Sequence, residues 1–259
     1  MTVEELVTTA VECEAAGAAM IHIHVRDAEA KPTLDLGYVR EALSAVREAT
    51  DLIVQVSSGG AVTDSADARV AVLDADPDSA SLTCGTVNFG TDVFLNPWDL
   101  IERLFLAMRE RAIVPEFEIF DLGQLTTLRR LLDKHGLPYG DHVHCDLVMG
   151  VPGGMAASTA ALVACVADLP EGATWSATGV GRGTLPVMLA ALSAGGHLRV
   201  GMEDTLTFAP GEPVRSNAQL VERAAALATT ALRPPLTTGE ARAMLGIKDR
   251  RTAAMRGSR

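Results

Sequence analysis

Two histidines separated by one residue, His22 and His24, stand in the stretch Met20-Ile21-His22-Ile23-His24-Val25-Arg26-Asp27. The run reads as a strand, in which alternate side chains share a face. The two imidazoles therefore point one way, and Ile21, Ile23 and Val25 the other. Two imidazoles so placed can hold one divalent metal ion. A buried pair with satisfied hydrogen bonds has the same spacing, and the pair alone leaves both readings open. Glu203 and Asp204 lie at the end of the last strand. A carboxylate there completes a His₂-carboxylate set with an open position, the usual catalytic zinc set; the plain alternative is charge at a helix N-terminus. Arg199, four residues before Glu203, is a two-pronged donor suited to a substrate carboxylate.

Glu116 and Glu118 alternate with Phe117 and Ile119, so both carboxylates share a face. Inside a barrel, burial raises a carboxyl pKa and makes it a proton-transfer group. Glu118 is expected to do chemistry, and Glu116 to be neutralised by an arginine. Ser57-Ser58-Gly59-Gly60 offers hydroxyls and backbone N–H groups suited to a carboxylate or oxyanion. Substrate contacts are expected from Ser57, Ser58, Gly59, Gly60, Thr83 and Asn88. No His–Asp pair evidently serves the serines, so neither is read as a nucleophile. His142 and His144 form a second, competing His-x-His, whereas His135 and His197 read as structural. The glycine-rich loops at 150–154 and 179–183 fit phosphate binding or simple turns equally well.

The elements that must position these groups alternate strictly. Helices are predicted over 2–16, 35–49, 65–73, 96–111, 122–135, 158–168, 185–194 and 216–232, with a short one after Thr237. Thr2 with Glu5, Ser216 with Gln219 and Thr237 with Glu240 read as capping pairs, and Asn96 as a cap before Pro97. Strands are predicted over 20–25, 52–56, 80–83, 116–120, 142–148, 174–178 and 197–201. β-α alternation with short connections is the pattern of parallel βαβ units. The expected fold is an α/β, TIM (β/α)₈ barrel in one domain over 1–259, with C-terminal helices from about 216. The strand count falls one short of a closed barrel, and the chain opens on a helix. The first strand is expected to be missing from this sequence.

Composition narrows the partners. The 259 residues carry a formal net charge of −11 and 48% apolar residues. That charge argues against nucleic acid or an anionic membrane as partner. No apolar run is long enough to span a bilayer, and Glu4, Glu5 and Glu12 break any leader-like apolar region. Cys13, Cys84, Cys145 and Cys165 lack metal-type spacing and are expected to be reduced and mostly buried, with the cytoplasm as compartment.

Taken in order, several motifs resemble one family. They are Gly17-Ala18-Ala19 before the first His-x-His, the Ser-Ser-Gly-Gly turn, Pro115-Glu116-Phe117-Glu118, Gly150-Val151-Pro152-Gly153-Gly154, Arg199-Val200-Gly201-Met202-Glu203-Asp204 and Ser216-Asn217-Ala218-Gln219-Leu220-Val221. Together, over nearly the whole chain, they look like the β-keto acid cleavage enzymes, typified by 3-keto-5-aminohexanoate cleavage enzyme. The resemblance implies a TIM barrel with one Zn²⁺ on His22, His24 and Glu203. It implies a retro-Claisen type exchange in which a β-keto acid and acetyl-CoA give acetoacetate and a new acyl-CoA. Glu118, Arg199 and Asp204 would be the catalytic polar groups, Ser58 would help bind the substrate carboxylate, and the assembly would be a homotetramer. Three departures stand out: the family's first strand has no counterpart, Thr205 stands where an Asn is common, and Asp146 stands where a neutral amide is expected. Two other readings are a metal-dependent hydrolase that uses both His-x-His pairs, and a non-catalytic zinc- and ligand-binding barrel.

Overall fold

A computed structural model describes residues 1–249. Strand β1 (Met20–Ile23) follows helix α1 (Val3–Ala15), and the alternation continues with α2 (Leu36–Ala49), β2 (Ile53–Val56), α3 (Ala66–Ala71) and β3 (Ser79–Thr83). A hairpin, β4 (Val87–Phe89) with β5 (Asp92–Phe94), precedes α4 (Trp98–Glu110) and β6 (Val114–Ile119). Then come α5 (Leu122–His135), β7 (His144–Met149), α6 (Thr159–Ala167), β8 (Thr174–Gly179), α7 (Thr184–Ser193) and β9 (His197–Arg199). A second hairpin, β10 (Thr207–Ala209) with β11 (Glu212–Pro213), leads to α8 (Asn217–Thr230) and α9 (Thr238–Leu245). Among the described residues no helix is long and apolar enough to cross a membrane.

The helix starts follow side-chain chemistry. Thr2 Oγ1 accepts from Glu5 N, and Glu5 Oε2 accepts from Thr2 N; Thr237 and Glu240 repeat that box before α9. Asn96 departs from its expected role. Helix α4 begins at Trp98 with Pro97 at the cap and no side-chain cap bond. The Asn96 side chain instead accepts from Arg69 Nη2 at 2.5 Å, because a buried guanidinium needs an acceptor more than a helix end open to water does.

The parallel strands form one curled, TIM-barrel-like sheet in the order β1-β2-β3-β6-β7-β8-β9. Its two faces differ sharply. Val54, Val56, Leu82, Phe117, Ile119, Cys145, Leu147 and Ala177 pack outward under the helices in the main apolar core. The alternate residues Gln55, Ser81, Thr83, Glu116, Glu118, His144, Asp146, Ser176 and Thr178 are also buried, on the inner face. The period of two thus turns a row of polar groups into the hollow of the sheet. Parallel register then sets them level: His22 pairs with Gln55, Gln55 with Ser79, Thr83 with Glu118, Glu118 with Asp146, and Thr178 with Arg199. A smaller apolar cluster of Ile53, Val114, Ala241, Leu245 and Ile247 seats α9 beneath the strands.

Strands β1 and β9 end the sheet, with no ladder between them among the described residues. A cavity of about 1030 Å³ runs along that seam. All four cysteines are free and buried.

Candidate active site

His22 lies on β1 and His24 just beyond its end; Glu203 sits in the turn after β9. The curl of the sheet brings these distant stretches together across the seam. His22 Nε2 is 3.1 Å from His24 Nε2, and His24 Nε2 is 3.0 Å from Glu203 Oε1. The ligand-capable atoms of all three lie within 4.8 Å of one another, the one such group found among the described residues. Zinc at about 2.0–2.1 Å from nitrogen and oxygen in a tetrahedron sets its ligand atoms roughly 3.3 Å apart, so the donor set fits that ion. Protonation agrees. Burial, reinforced by the charges of Arg199 and His24, pulls His22 down to about 3, so its imidazole is neutral. Desolvation alone would raise Glu203, but the His24 hydrogen bond and the Arg199 charge hold it well below the usual carboxylate range.

Arg199 is the hub beside this corner. Its Nη2 donates to Glu203 Oε2 at 2.9 Å, and its Nη1 to Glu118 Oε1 at 3.2 Å and Asp146 Oδ2 at 3.5 Å. One guanidinium thus faces several carboxyls, with Asp204 among those acting on it. Burial is the largest effect on Asp204; Arg199 opposes it and Glu203, Asp146 and Glu118 reinforce it, leaving the carboxyl at about 7. Glu118 is likewise raised by burial, against the pull of Arg199 and of Thr83, whose hydroxyl donates to Glu118 Oε2 at 2.8 Å. An acid near neutrality next to a cation and a metal-capable corner can take up and return a proton.

The Glu116–Glu118 pair divides contrary to expectation. Glu118 is the arginine-paired carboxylate. Glu116 forms no salt bridge with an arginine among the described residues and stands 3.6 Å from His144 Nε2. Burial, then Asp146, raise it to about 8 against the partial offset of Arg199. The cause is register: Glu118 pairs directly with Asp146, on the rung that the guanidinium reaches. His142 Nε2 and His144 Nδ1 both lie 2.7 Å from Thr174 Oγ1. The second His-x-His therefore does not join the metal-capable group, which removes the basis for a hydrolase using both pairs.

The remaining candidates separate. Thr83 is on the Glu118 carboxylate. Ser58 is fully buried and its hydroxyl donates to Ser81 O at 2.5 Å, while Ser57 Oγ accepts from Gly59 N at 3.2 Å. Gly60 adopts φ +62°, with the Asp64 carboxylate where a Cβ would stand. Asn88 is exposed on β4 and does not line the cavity. Its backbone instead abuts Gly153 (φ +104°), where a Cβ would collide with the Asn88 carbonyl. Packing thus accounts for that glycine.

Two residues of the site escaped the sequence reading. Arg69 is buried and donates to Ser58 O and Leu95 O, both at 2.8 Å, holding the Ser57–Gly60 turn to the β4–β5 hairpin. Gln55 faces His22, and its signal was a lone amide in an otherwise apolar strand.

Comparison with known proteins follows the same direction. The family model for beta-keto acid cleavage enzyme matches residues 1–247. The chain is 37% identical over 248 residues to a 3-keto-5-aminohexanoate cleavage enzyme of Acetoanaerobium sticklandii, covering 95% of this chain and 90% of the relative. It is 39% identical over 249 residues to the same-named enzyme of Fusobacterium nucleatum, with the same shares covered. It is 35% identical over 251 residues to a 3-oxoadipate:acetyl-CoA acetyltransferase of Cupriavidus necator, covering 95% and 87%. Among solved structures, the apo structure of ObcA superposes with a TM-score of 0.82 at 20% identity, covering 95% of this chain and 65% of that one. That likeness carries the fold alone. With the motif order, the barrel-like sheet and these relatives in agreement, the chain belongs to the beta-keto acid cleavage enzyme family.

Proposed function

We propose that this chain is a zinc-dependent enzyme that converts a β-keto acid and acetyl-CoA to acetoacetate and a new acyl-CoA. The observation that carries the proposal is the convergence of His22, His24 and Glu203 across the seam, with Arg199 and Asp204 directly beside it. Three relatives are named as transferases that pair acetyl-CoA with 3-oxoadipate, 3-dehydrocarnitine or 3,5-dioxohexanoate. The acetyl-CoA co-substrate is taken from them.

The reaction needs a carbanion at C2 of the keto acid. That carbon attacks the thioester carbonyl, and the CoA thiolate leaves. The thiolate then attacks the C3 carbonyl, the C2–C3 bond breaks toward C2, and C2 regains a proton. Zinc, when bound, supplies Lewis-acid polarisation of the keto oxygen. Asp204 removes the C2 proton and returns it, since an acid at about 7 works in both directions near neutral pH. Arg199 orients the substrate carboxylate and keeps Asp204 ionisable. Glu118, fixed by Thr83, holds Arg199 in place. The Ser57–Gly60 turn stands at the neighbouring strand end, where the backbone N–H groups of Ser57, Ser58 and Gly60 face an oxyanion in this reading and the Gly59 N–H is taken by Ser57 Oγ. The accompanying expectations are small-molecule partners only, a homotetramer, and the cytoplasm as compartment.

The test is elemental analysis and an exchange assay on the wild type and on His22→Ala/His24→Ala. About one zinc per chain, lost in the double variant together with acetoacetate formation from a panel of β-keto acids and acetyl-CoA, supports the proposal. A metal-free wild type overturns it. Bound zinc without turnover across the panel leaves the non-catalytic barrel as the function.

A further inference from the structure

His22 can offer Nε2 to a cation only when its own proton sits on Nδ1, because a neutral imidazole has one N–H and one lone pair. Nδ1 lies 2.5 Å from Gln55 Oε1. Whether that contact fixes the proton depends on which way the amide faces, and the groups on its far side decide this. Gln55 is 1% exposed, so water does not compete for its donors. Its Nε2 donates to Ser79 Oγ at 3.1 Å, and its side chain also hydrogen-bonds the Glu116 carboxyl. Each can accept an amide N–H, Ser79 through its hydroxyl oxygen and Glu116 through a carboxyl oxygen. Turning the amide over would set Oε1 against them and aim an N–H at His22 Nδ1. The imidazole proton would then move to Nε2, pointing at His24 Nε2 only 3.1 Å away and blocking the ligand position.

The sheet builds this arrangement without loop geometry. Gln55 is the register partner of His22 on one side and of Ser79 on the other, so the three side chains share one rung. Glu116 pairs with Ser81 on the next strand but one, close enough to reach the amide from the inner face.

We propose that Gln55, oriented by Ser79 and Glu116, is a positioning residue that holds His22 in its Nδ1–H tautomer and so keeps Nε2 open to a divalent cation. The inference rests on the metal reading of His22, His24 and Glu203. It goes beyond that reading by assigning the metal affinity partly to a residue that touches no ligand position. Groups that orient a metal-bound histidine are worth about 10–100-fold in affinity.

The experiment uses the full-length, metal-free chain. Nitrogen-15 NMR of the histidine rings reports the His22 tautomer, and competition with a chromophoric chelator gives zinc affinity for the wild type, Gln55→Leu and Gln55→Glu. The expected result is Nδ1–H on wild-type His22, zinc bound about 10–100-fold more weakly by Gln55→Leu, and affinity within about threefold of wild type for Gln55→Glu, which keeps an acceptor on Nδ1. A wild-type His22 proton on Nε2, or equal zinc affinity in wild type and Gln55→Leu, overturns the proposal. If Gln55→Leu fails to fold, the wild-type tautomer and the Gln55→Glu affinity decide, and a tenfold or greater loss in Gln55→Glu counts against it. If the wild type binds no zinc, the metal reading falls, and the tautomer alone still decides whether Gln55 sets the ring.

Discussion

Arg199 Nη1 stands 3.5 Å from Asp146 Oδ2, and Asp146 is fully buried. Ser176 Oγ and Thr178 Oγ1 donate to the same carboxylate at 2.8 and 2.7 Å. An acid thus occupies the position where the family resemblance led us to expect a neutral amide, and it anchors the underside of the guanidinium. Without that acid Arg199 keeps Glu118 and Glu203, but the Ser176 and Thr178 hydroxyls lose their buried acceptor. Asp146→Ala is expected to lower stability by about 1–3 kcal/mol, and Asp146→Asn, whose amide oxygen still accepts from one hydroxyl while its NH₂ donates to the other, by clearly less. Urea unfolding of the three proteins measures this, and an Asp146→Ala as stable as wild type would refute the anchoring role.

Glu116 gives a pH prediction with a definite sign. Its folded value of about 8 lies above the ordinary 4.5, under the influence of burial, Asp146, Arg199 and Glu118, with His144 alongside. An acid raised on folding favours the native state while protonated. That contribution is fully present below pH 4.5 and is lost as pH rises toward about 8. Glu116→Gln removes the penalty. It should match the wild type near pH 4.5 and exceed it at pH 8 by at least about 1.4 kcal/mol, a tenfold change in the folding constant. Comparing the two proteins at each pH cancels the titration of the other buried groups. A difference that does not grow with pH is the contrary result.

Asp204 is the proposed proton carrier. Asp204→Asn should cut acyl exchange by about 10²–10⁴-fold. Zinc content should stay near wild type, because Asp204 lies outside the group of ligand-capable atoms. Steady-state rates together with metal analysis separate the two effects, and near-normal turnover would assign the proton to another group.

Gly153 allows a purely steric test. At φ +104° an added Cβ meets the Asn88 carbonyl, and Gly90 N donates to Pro152 O at 2.9 Å in the same contact. Gly153→Ala is expected to cost about 1–3 kcal/mol and to make the β4–β5 hairpin more open to limited proteolysis. Unchanged melting and cleavage would mean that the loop yields freely.

Local patterns carried most of what the sequence made legible. The alternation that puts His22 and His24 on one face, and the position of Glu203 just after a strand, depend on short-range geometry, so both could be read from residue types and spacing. The distinct fates of Glu116 and Glu118 could not. Both share a face, and only the register across β6, β7 and β9 decides which of them meets Arg199. Arg69 was hidden for a related reason: its acceptors, Ser58 O in one turn and Leu95 O and Asn96 Oδ1 in another, are far from it in sequence. The two hairpins were missed because strands of two or three residues leave no periodicity to detect. Asn96 was misjudged because a capping preference gave way to a buried charge.

The seam between β1 and β9 gives the His24–Glu203 contact a mechanical meaning. Elsewhere around the sheet, neighbouring strands are joined by rows of backbone hydrogen bonds, but here a side-chain pair from the two edges of the sheet bridges the gap. A cation gripped by His22, His24 and Glu203 would act as a clasp, fastening the first strand to the turn after the last and closing the long intervening loop in the native state only. Metal loading would then change how the whole sheet comes apart, turning fraying at a free edge into one concerted opening.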